Sequence, residues 1–153
     1  MTAMNDTQLS DYVTFTTAEQ MFGLPIECVQ DVFKPSRITR VPLAGPEIAG
    51  VLNLRGRIVT TVHLGNRLEL QSRSEELPPM AIGIEFGTES FGLLVDAVGE
   101  VLKLPDSERE ANPINLDRKL ARVSAGVFRL DGRLLVVLDV DRVLDLGVEA
   151  AAA

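Results

Sequence analysis

The chain of 153 residues has very few of the residue types on which catalytic and metal-binding chemistry depends. It contains one cysteine, Cys28, and one histidine, His63, so an intramolecular disulfide is excluded and a zinc site would need carboxylate ligands. It has no tryptophan, and aromatic residues make up 5% of the sequence, which is too few for a platform that stacks nucleic-acid bases. We therefore expect no metal, no cofactor and no catalytic residues.

An excess of basic residues and long apolar runs are also missing. Lys and Arg total 15 against 22 Asp and Glu, a net charge of −7, which argues against binding to a phosphate backbone. No apolar run approaches the ~20 residues needed to cross a bilayer, and the polar start has no secretion signal. The hydrophobic content of 46% is that of an ordinary globular protein. These features predict a cytoplasmic protein with no direct membrane insertion and no nucleic-acid partner.

The most informative feature that is present is an internal repeat. Residues 22–34 and 91–103 are identical at six of thirteen positions, with Phe22 matching Phe91 at an offset of 69 residues. Residues 49–70 then match residues 125–146 at an offset of 76, so the second copy carries a seven-residue insertion. A repeat of this length is too long for a solenoid unit and indicates a duplicated small subdomain.

The local pattern within each copy is that of β-strands. Residues 12–16 and 81–86 alternate with period two, and each opens one half. Arg55-Gly56 and Asp131-Gly132 stand at equivalent places between apolar runs and predict two-residue hairpins. The runs that follow, 57–62 and 133–138, are typical of buried strands, and short helical turns are predicted at 64–70 and 140–146. Two small β-barrels that share one core account for this pattern.

Several motifs resemble the CheW-like family of chemotaxis coupling proteins over residues 11–146. They are Phe-Gly-Leu at 22–24 with Val-Gln-Asp-Val at 29–32, Gly-Val-Leu-Asn-Leu-Arg-Gly at 50–56, and Phe-Gly-Leu-Leu-Val-Asp at 91–96. The sequence departs from the family at His63, where an aspartate is usual, although the repeat-equivalent position keeps Asp139.

The resemblance implies an all-β fold of two tandem SH3-like five-stranded barrels in one domain with a few short helices. Subdomain 1 is predicted at about 11–72 and subdomain 2 at about 80–146, with tails at 1–10 and 147–153. An exchange of terminal segments between the halves is left open.

The resemblance also implies a function, that of a non-enzymatic adaptor. Such an adaptor joins the cytoplasmic tips of transmembrane chemoreceptors to the regulatory domain of a CheA-type histidine kinase, and we expect it to be monomeric when free. Receptor-binding candidates are Arg55, Asn53, Val29, Asp31, Gly50 and Gly56. Kinase-binding candidates in the second copy are Gly92, Leu94, Val95, Val98, Leu102 and Gly126.

Structural roles compete with binding roles at these positions. With the family resemblance, Arg55 is the strongest candidate for a receptor contact, because Asp131 at the equivalent hairpin shows that the fold requires neither charge. Asn53 could instead bond its own turn, Val29 could pack in the core, and the glycines could serve the backbone. Several of the apolar kinase candidates could likewise be buried.

Alternatives to this function also remain open. One is a coupling protein of a pilus or second-messenger pathway, and another is a small nucleic-acid-binding barrel, which the net charge opposes. An enzyme would need a deep pocket with converging titratable groups.

Overall fold

The structure of the protein is a computed structural model that describes residues 8–70 and 79–145. The predicted tails at 1–10 and 147–153 therefore lie almost wholly outside the described residues, as does the polar stretch 71–79 between the two copies of the repeat. The strands in chain order are β1 (Leu9–Thr17), β2 (Gln20–Pro25), β3 (Val29–Phe33), β4 (Ile48–Leu54), β5 (Arg57–His63), β6 (Met80–Phe86), β7 (Glu89–Val95), β8 (Ala97–Pro105), β9 (Ser124–Leu130) and β10 (Arg133–Leu138). The helices are α1 (Leu64–Arg67), α2 (Arg118–Ala121) and α3 (Val140–Val143), with 3₁₀ turns at Ile26–Cys28 and Asp106–Glu108.

The ten strands form two five-stranded sheets with the same internal order. One sheet runs β8-β1-β2-β10-β9 and the other β3-β6-β7-β5-β4. Each strand of the first sheet occupies the place of its repeat-equivalent strand in the second. The all-β prediction of two SH3-like barrels with a few short helices is therefore confirmed.

The sheets do not follow the predicted boundary between subdomains. The second sheet, here called the central barrel, uses the continuous stretch 29–95, whereas the first, the terminal barrel, joins β1 and β2 to β8, β9 and β10. The halves thus exchange their first hairpins. The repeat makes β1–β2 and β6–β7 interchangeable, so the sequence pattern cannot specify which copy each hairpin joins. The sequence leaves an exchange of segments open beside the division at 11–72 and 80–146, and the strand order shows which hairpins are exchanged.

Each barrel is completed by a single bridge beyond its edge strand. The N–H of Thr39 donates to the carbonyl of Val51 at 2.8 Å, and Glu110 makes the equivalent bond to Val127 at 2.8 Å. These bridges supply partners to β4 and β9, whose outer edges would otherwise be open to pairing with other chains.

The main hydrophobic core lies between the two barrels and uses residues of both. Phe15 and Phe22 of the terminal barrel stack with ring centroids 5.6 Å apart, in one cluster with Ile82 and Leu93 of the central barrel. All four side chains are buried. A second cluster around Tyr12 and Phe128 fills the terminal barrel. Because one core serves both barrels, neither barrel is expected to fold alone.

The short helices α1 and α3 begin at equivalent places with different capping residues. The Nδ1 atom of His63 accepts a hydrogen bond from the N–H of Asn66 at 3.1 Å, and Oδ1 of Asp139 accepts one from the N–H of Arg142 at 3.3 Å. The histidine that departs from the family pattern thus replaces an aspartate as the N-cap.

Candidate functional site

The candidate receptor contact Arg55 lies at the tip of the hairpin that joins β4 and β5. Leu54 pairs with Arg57, so Arg55 and Gly56 form a two-residue turn in which both have positive φ, +55° and +85°. Oδ1 of Asn53 accepts a hydrogen bond from the N–H of Gly56 at 2.8 Å and fixes this turn. The structure therefore gives Asn53 the turn-stabilising role, with its side chain still exposed.

Arg55 is an unfavourable residue for the backbone conformation that it adopts. The left-handed region costs a non-glycine residue roughly 1–2 kcal/mol. Its side chain is exposed, and no described residue forms a hydrogen bond or ion pair with its guanidinium group. The equivalent Asp131 has no positive φ, so the second hairpin does not carry this strain. Backbone strain without a compensating contact is typical of residues retained for function.

A shallow groove on the central barrel adjoins the hairpin. A cavity of about 70 Å³ is lined by Phe33, Val59 and Phe91, with Asp31 and Arg55 among its polar residues. The groove therefore combines a small apolar floor with charges of both signs. Such a surface suits a protein partner that provides an apolar side chain and a charged neighbour.

Arg57 is a further charged residue of this groove that sequence reasoning did not select. Its Nη2 atom lies 2.9 Å from Oε2 of Glu85, and both side chains are about half exposed. An exposed ion pair of this kind contributes little to stability but can orient a partner. The signal was available, because Arg57 and Arg133 coincide in the repeat.

The two candidates on β3 lie in different environments. Val29 is half-buried and packs against the core between the barrels, whereas Asp31 lines the groove. A Cβ atom at Gly83 would overlap the Asp31 carboxylate, so the missing side chain leaves room for that group. Asp31 is therefore available to a partner, and Val29 acts by supporting the strand.

The candidate Gly50 serves the backbone. It is buried with φ +148°, and a Cβ atom there would overlap the carbonyl oxygen of Thr39 in the bridging segment. Gly56 has φ +85°, and no atom lies near a hypothetical Cβ. The backbone conformation of the turn therefore favours glycine here, whereas there is room for a side chain. Neither glycine offers a side chain to a partner.

The predicted kinase surface in the second copy requires a correction. Leu94 and Val95 are 5% and 1% exposed, and Gly92 and Gly126 are buried. Residues 91–95 of β7 are all buried, so both faces of this part of the strand are covered and cannot form a contact surface. A Cβ at Gly126 would press against Arg109, so the missing side chain allows these two chain segments to approach closely.

The other two kinase candidates, Val98 and Leu102, are half-buried and line a groove on the terminal barrel. Its cavity of about 280 Å³ also includes Met21, Glu100 and Arg133. This groove is the repeat-equivalent of the first, since Glu100 corresponds to Asp31, Leu102 to Phe33 and Arg133 to Arg57. The two barrels therefore present equivalent grooves with different charges and side-chain sizes.

An arginine of the central barrel binds backbone carbonyls of the terminal barrel. In α1, Nε of Arg67 donates to the carbonyl of Val143 at 2.8 Å, and Nη2 donates to the carbonyls of Arg142 and Asp145 at 2.9 and 3.2 Å. A guanidinium group suits the carbonyls at the end of α3, because the cation meets the negative end of the helix dipole. This contact adds to the shared core in holding the two barrels together.

Burial perturbs two further titratable groups among the described residues. Burial raises the pKa of the Cys28 thiol, and the nearby carboxylates of Glu27, Asp141 and Asp139 add to that effect, so the thiol is not activated. Burial likewise raises the pKa of Tyr12. Within residues 8–70 and 79–145, no group of three or more His, Cys, Asp or Glu could hold a metal ion. The described helices include none that is long and apolar enough to span a membrane.

Two SH3-like barrels with equivalent shallow grooves define the chain as a tandem SH3-like barrel domain. The profile of the CheW-like domain family matches residues 11–147, so the chain belongs to the CheW-like family. The chemotaxis protein CheW of Thermotoga maritima is 30% identical over 135 residues, which cover 88% of this chain and 87% of the relative. CheW of Bacillus subtilis is 27% identical over 133 residues, covering 87% and 85%.

A solved structure has the same fold. The crystal structure of the scaffolding protein CheW from Thermoanaerobacter tengcongensis superposes with a TM-score of 0.77 at 27% identity, covering 90% of this chain and 89% of that one. The resemblance inferred from the motifs is therefore confirmed.

Proposed function

We propose that this protein is a non-enzymatic adaptor that couples chemoreceptors to a CheA-type histidine kinase. Family membership and the relatives named for chemotaxis and scaffolding support the adaptor role. The observation that carries the proposal is Arg55, a strained, exposed cation without a partner among the described residues. The protein acts in the cytoplasm, and its partners bring it to the receptor array.

The two grooves give this adaptor two separate contact surfaces. The receptor tip binds the central barrel at Arg55, Asp31 and the adjoining groove. The kinase's regulatory domain binds the terminal barrel at the groove lined by Val98 and Leu102. Holding both partners on one rigid body raises their effective concentration, so contacts of modest affinity yield a stable complex.

A change in kinase activity requires more than co-localisation. The adaptor shifts the kinase between its active and inactive states only if it binds one of them more tightly. The shared core and the hydrogen bonds of Arg67 hold one barrel against the other, and thus set the relative orientation of the bound receptor and kinase.

The experiment is a pull-down with purified receptor cytoplasmic fragment and purified kinase regulatory domain. Arg55→Glu should abolish capture by the receptor fragment and leave capture by the regulatory domain unchanged. Asp131→Lys, a charge reversal at the equivalent hairpin, is the matched control and should retain receptor binding. Wild-type protein that binds neither fragment would contradict the adaptor function.

A further inference from the structure

The helix α2 has no counterpart in the first copy of the repeat. It lies between β8 and β9, in the stretch that carries the insertion, whereas residues 34–47 between β3 and β4 form no helix. The helix is nevertheless held in place, because Leu120 packs in the main core and Oδ1 of Asp117 accepts a hydrogen bond from the N–H of Lys119 at 2.8 Å. Since the central barrel is complete without such a helix, the barrel fold does not explain the residues that α2 exposes.

The exposed residues of α2 are basic. Arg118, Lys119 and, at the C-cap, Arg122 fall within five residues of a chain whose net charge is −7. Lys119 and Arg122 line a cavity of about 250 Å³, here called the basic cavity, together with Arg67 of α1 and Arg142 of α3. Three helices from both barrels therefore bring four cations to one cavity.

Much of the hydrogen-bonding capacity of these four side chains is unused within the described part of the chain. The guanidinium group of Arg122 donates to no described residue, and Arg67 uses Nε and Nη2 for carbonyls of the terminal barrel but not Nη1. The side chains of Lys119 and Arg142 make long contacts, of 3.3 to 3.8 Å, to carbonyl and carboxylate oxygens. Donors in this cavity are therefore available to a bound anion.

The basic cavity has an excess of positive charge. Its lining includes the carboxylates of Glu69 and Asp145, so four cations face two anions and two positive charges are in excess. Like charges held close together repel one another, and a concave site concentrates their field. An anion in the cavity would relieve this repulsion, and guanidinium groups are suited to phosphoryl oxygens, which they bind in a bidentate manner.

The size and lining of the cavity limit the ligand. A volume of about 250 Å³ is below the roughly 300–1,000 Å³ of sites that hold drug-sized molecules. The apolar residues that line it, Leu68 and Val123, are both 2% exposed and present almost no surface to a nucleobase or an acyl chain. The cavity therefore suits a small phosphorylated anion without a large apolar group.

We propose that the basic cavity is a binding site for a small soluble anion with two phosphoryl groups. Lys119 and Arg122 bind the anion from α2, while Nη1 of Arg67 and the guanidinium group of Arg142 contact it from α1 and α3. Because the ligand contacts both barrels of the folded protein, its binding stabilises their packing. The basic cavity shares no lining residue with either groove, so this inference goes beyond the proposed function and does not depend on it.

The test is isothermal titration of inorganic diphosphate into the full chain in magnesium-free buffer with about 150 mM salt. Wild-type protein should bind one diphosphate with a dissociation constant below about 1 mM. Arg122→Glu should weaken binding by about tenfold or more without lowering the melting temperature, because its guanidinium group has no partner among the described residues. Arg118→Glu, the same charge reversal at an exposed residue of α2 outside the cavity, is the matched control and should bind as wild type. Diphosphate should also raise the melting temperature of the wild type and of Arg118→Glu, but not that of Arg122→Glu.

The headgroup of a phospholipid offers the same chemistry as a soluble phosphate, and co-sedimentation with vesicles that contain phosphatidic acid distinguishes the two. We expect no co-sedimentation, because the net charge of −7 opposes approach to an anionic membrane. Vesicle binding that Arg122→Glu abolishes would overturn the assignment to a soluble ligand.

Three further outcomes would overturn the inference. Wild-type protein could fail to bind diphosphate, Arg118→Glu could lose as much affinity as Arg122→Glu, or Arg122→Glu could melt at a markedly lower temperature, which would show a structural role for Arg122. Each of these outcomes leaves the adaptor function standing, because neither the receptor fragment nor the regulatory domain takes part in the measurement.

Discussion

The strained hairpin predicts that one substitution will raise stability and abolish binding together. Arg55→Gly removes the left-handed penalty of roughly 1–2 kcal/mol. Because glycine has more conformational freedom in the unfolded chain, the same substitution also costs about 0.5–1 kcal/mol of stability. The net gain is about 1 kcal/mol. For a domain of this size, that gain raises the melting temperature by about 2–4 °C.

Calorimetry and receptor pull-down on the same variant test this prediction. Asp131→Gly is the matched control, since Asp131 has no positive φ and glycine there should not stabilise the protein. A variant no more stable than wild type would refute the strain argument, and one that still binds the receptor fragment would refute the contact assigned to Arg55.

Further predictions concern the residues that hold the barrels together and the single thiol. Arg67→Met removes three hydrogen bonds, to the carbonyls of Arg142 and Val143 in α3 and of Asp145 just beyond it, and should lower the free energy of unfolding in urea by about 2 kcal/mol; an unchanged midpoint would contradict this role of Arg67. His63→Asp installs the cap that Asp139 provides and should add about 0.5 kcal/mol in the same assay, whereas a loss would show another role for the imidazole. Because burial raises the pKa of Cys28, its alkylation by iodoacetamide at pH 7.5 should be slower in the folded protein than in urea and should rise with pH; equal rates would contradict the shift.

The sequence predicts the strands of this fold better than it predicts their partners. The repeat and the Arg55-Gly56 and Asp131-Gly132 signals locate both hairpins, which depend on local turn chemistry. Local sequence does not determine the exchange of the hairpins β1–β2 and β6–β7 between the barrels. Both hairpins fit either barrel, and the choice depends on packing in the shared core, which pattern alone does not reveal.

The residues of the candidate site also fall into those that the sequence identifies and those that depend on tertiary structure. Arg55 stands out because the repeat shows an opposite charge at an equivalent turn, which is a comparison within the sequence. Leu94 and Val95 are misassigned because their side chains point to opposite faces of β7 and both faces are covered, and burial of the second face depends on tertiary structure. Arg67 is missed because its partners are backbone carbonyls of a helix 75 or more residues away, and carbonyls carry no side-chain signal.

The central claim is that this protein bridges the two partners. The most direct measurement is retention of purified kinase regulatory domain on immobilised receptor cytoplasmic fragment, with and without the protein. Retention should require wild-type protein and be lost with Arg55→Glu. Retention that is the same without the protein, or that survives Arg55→Glu undiminished, would contradict the account.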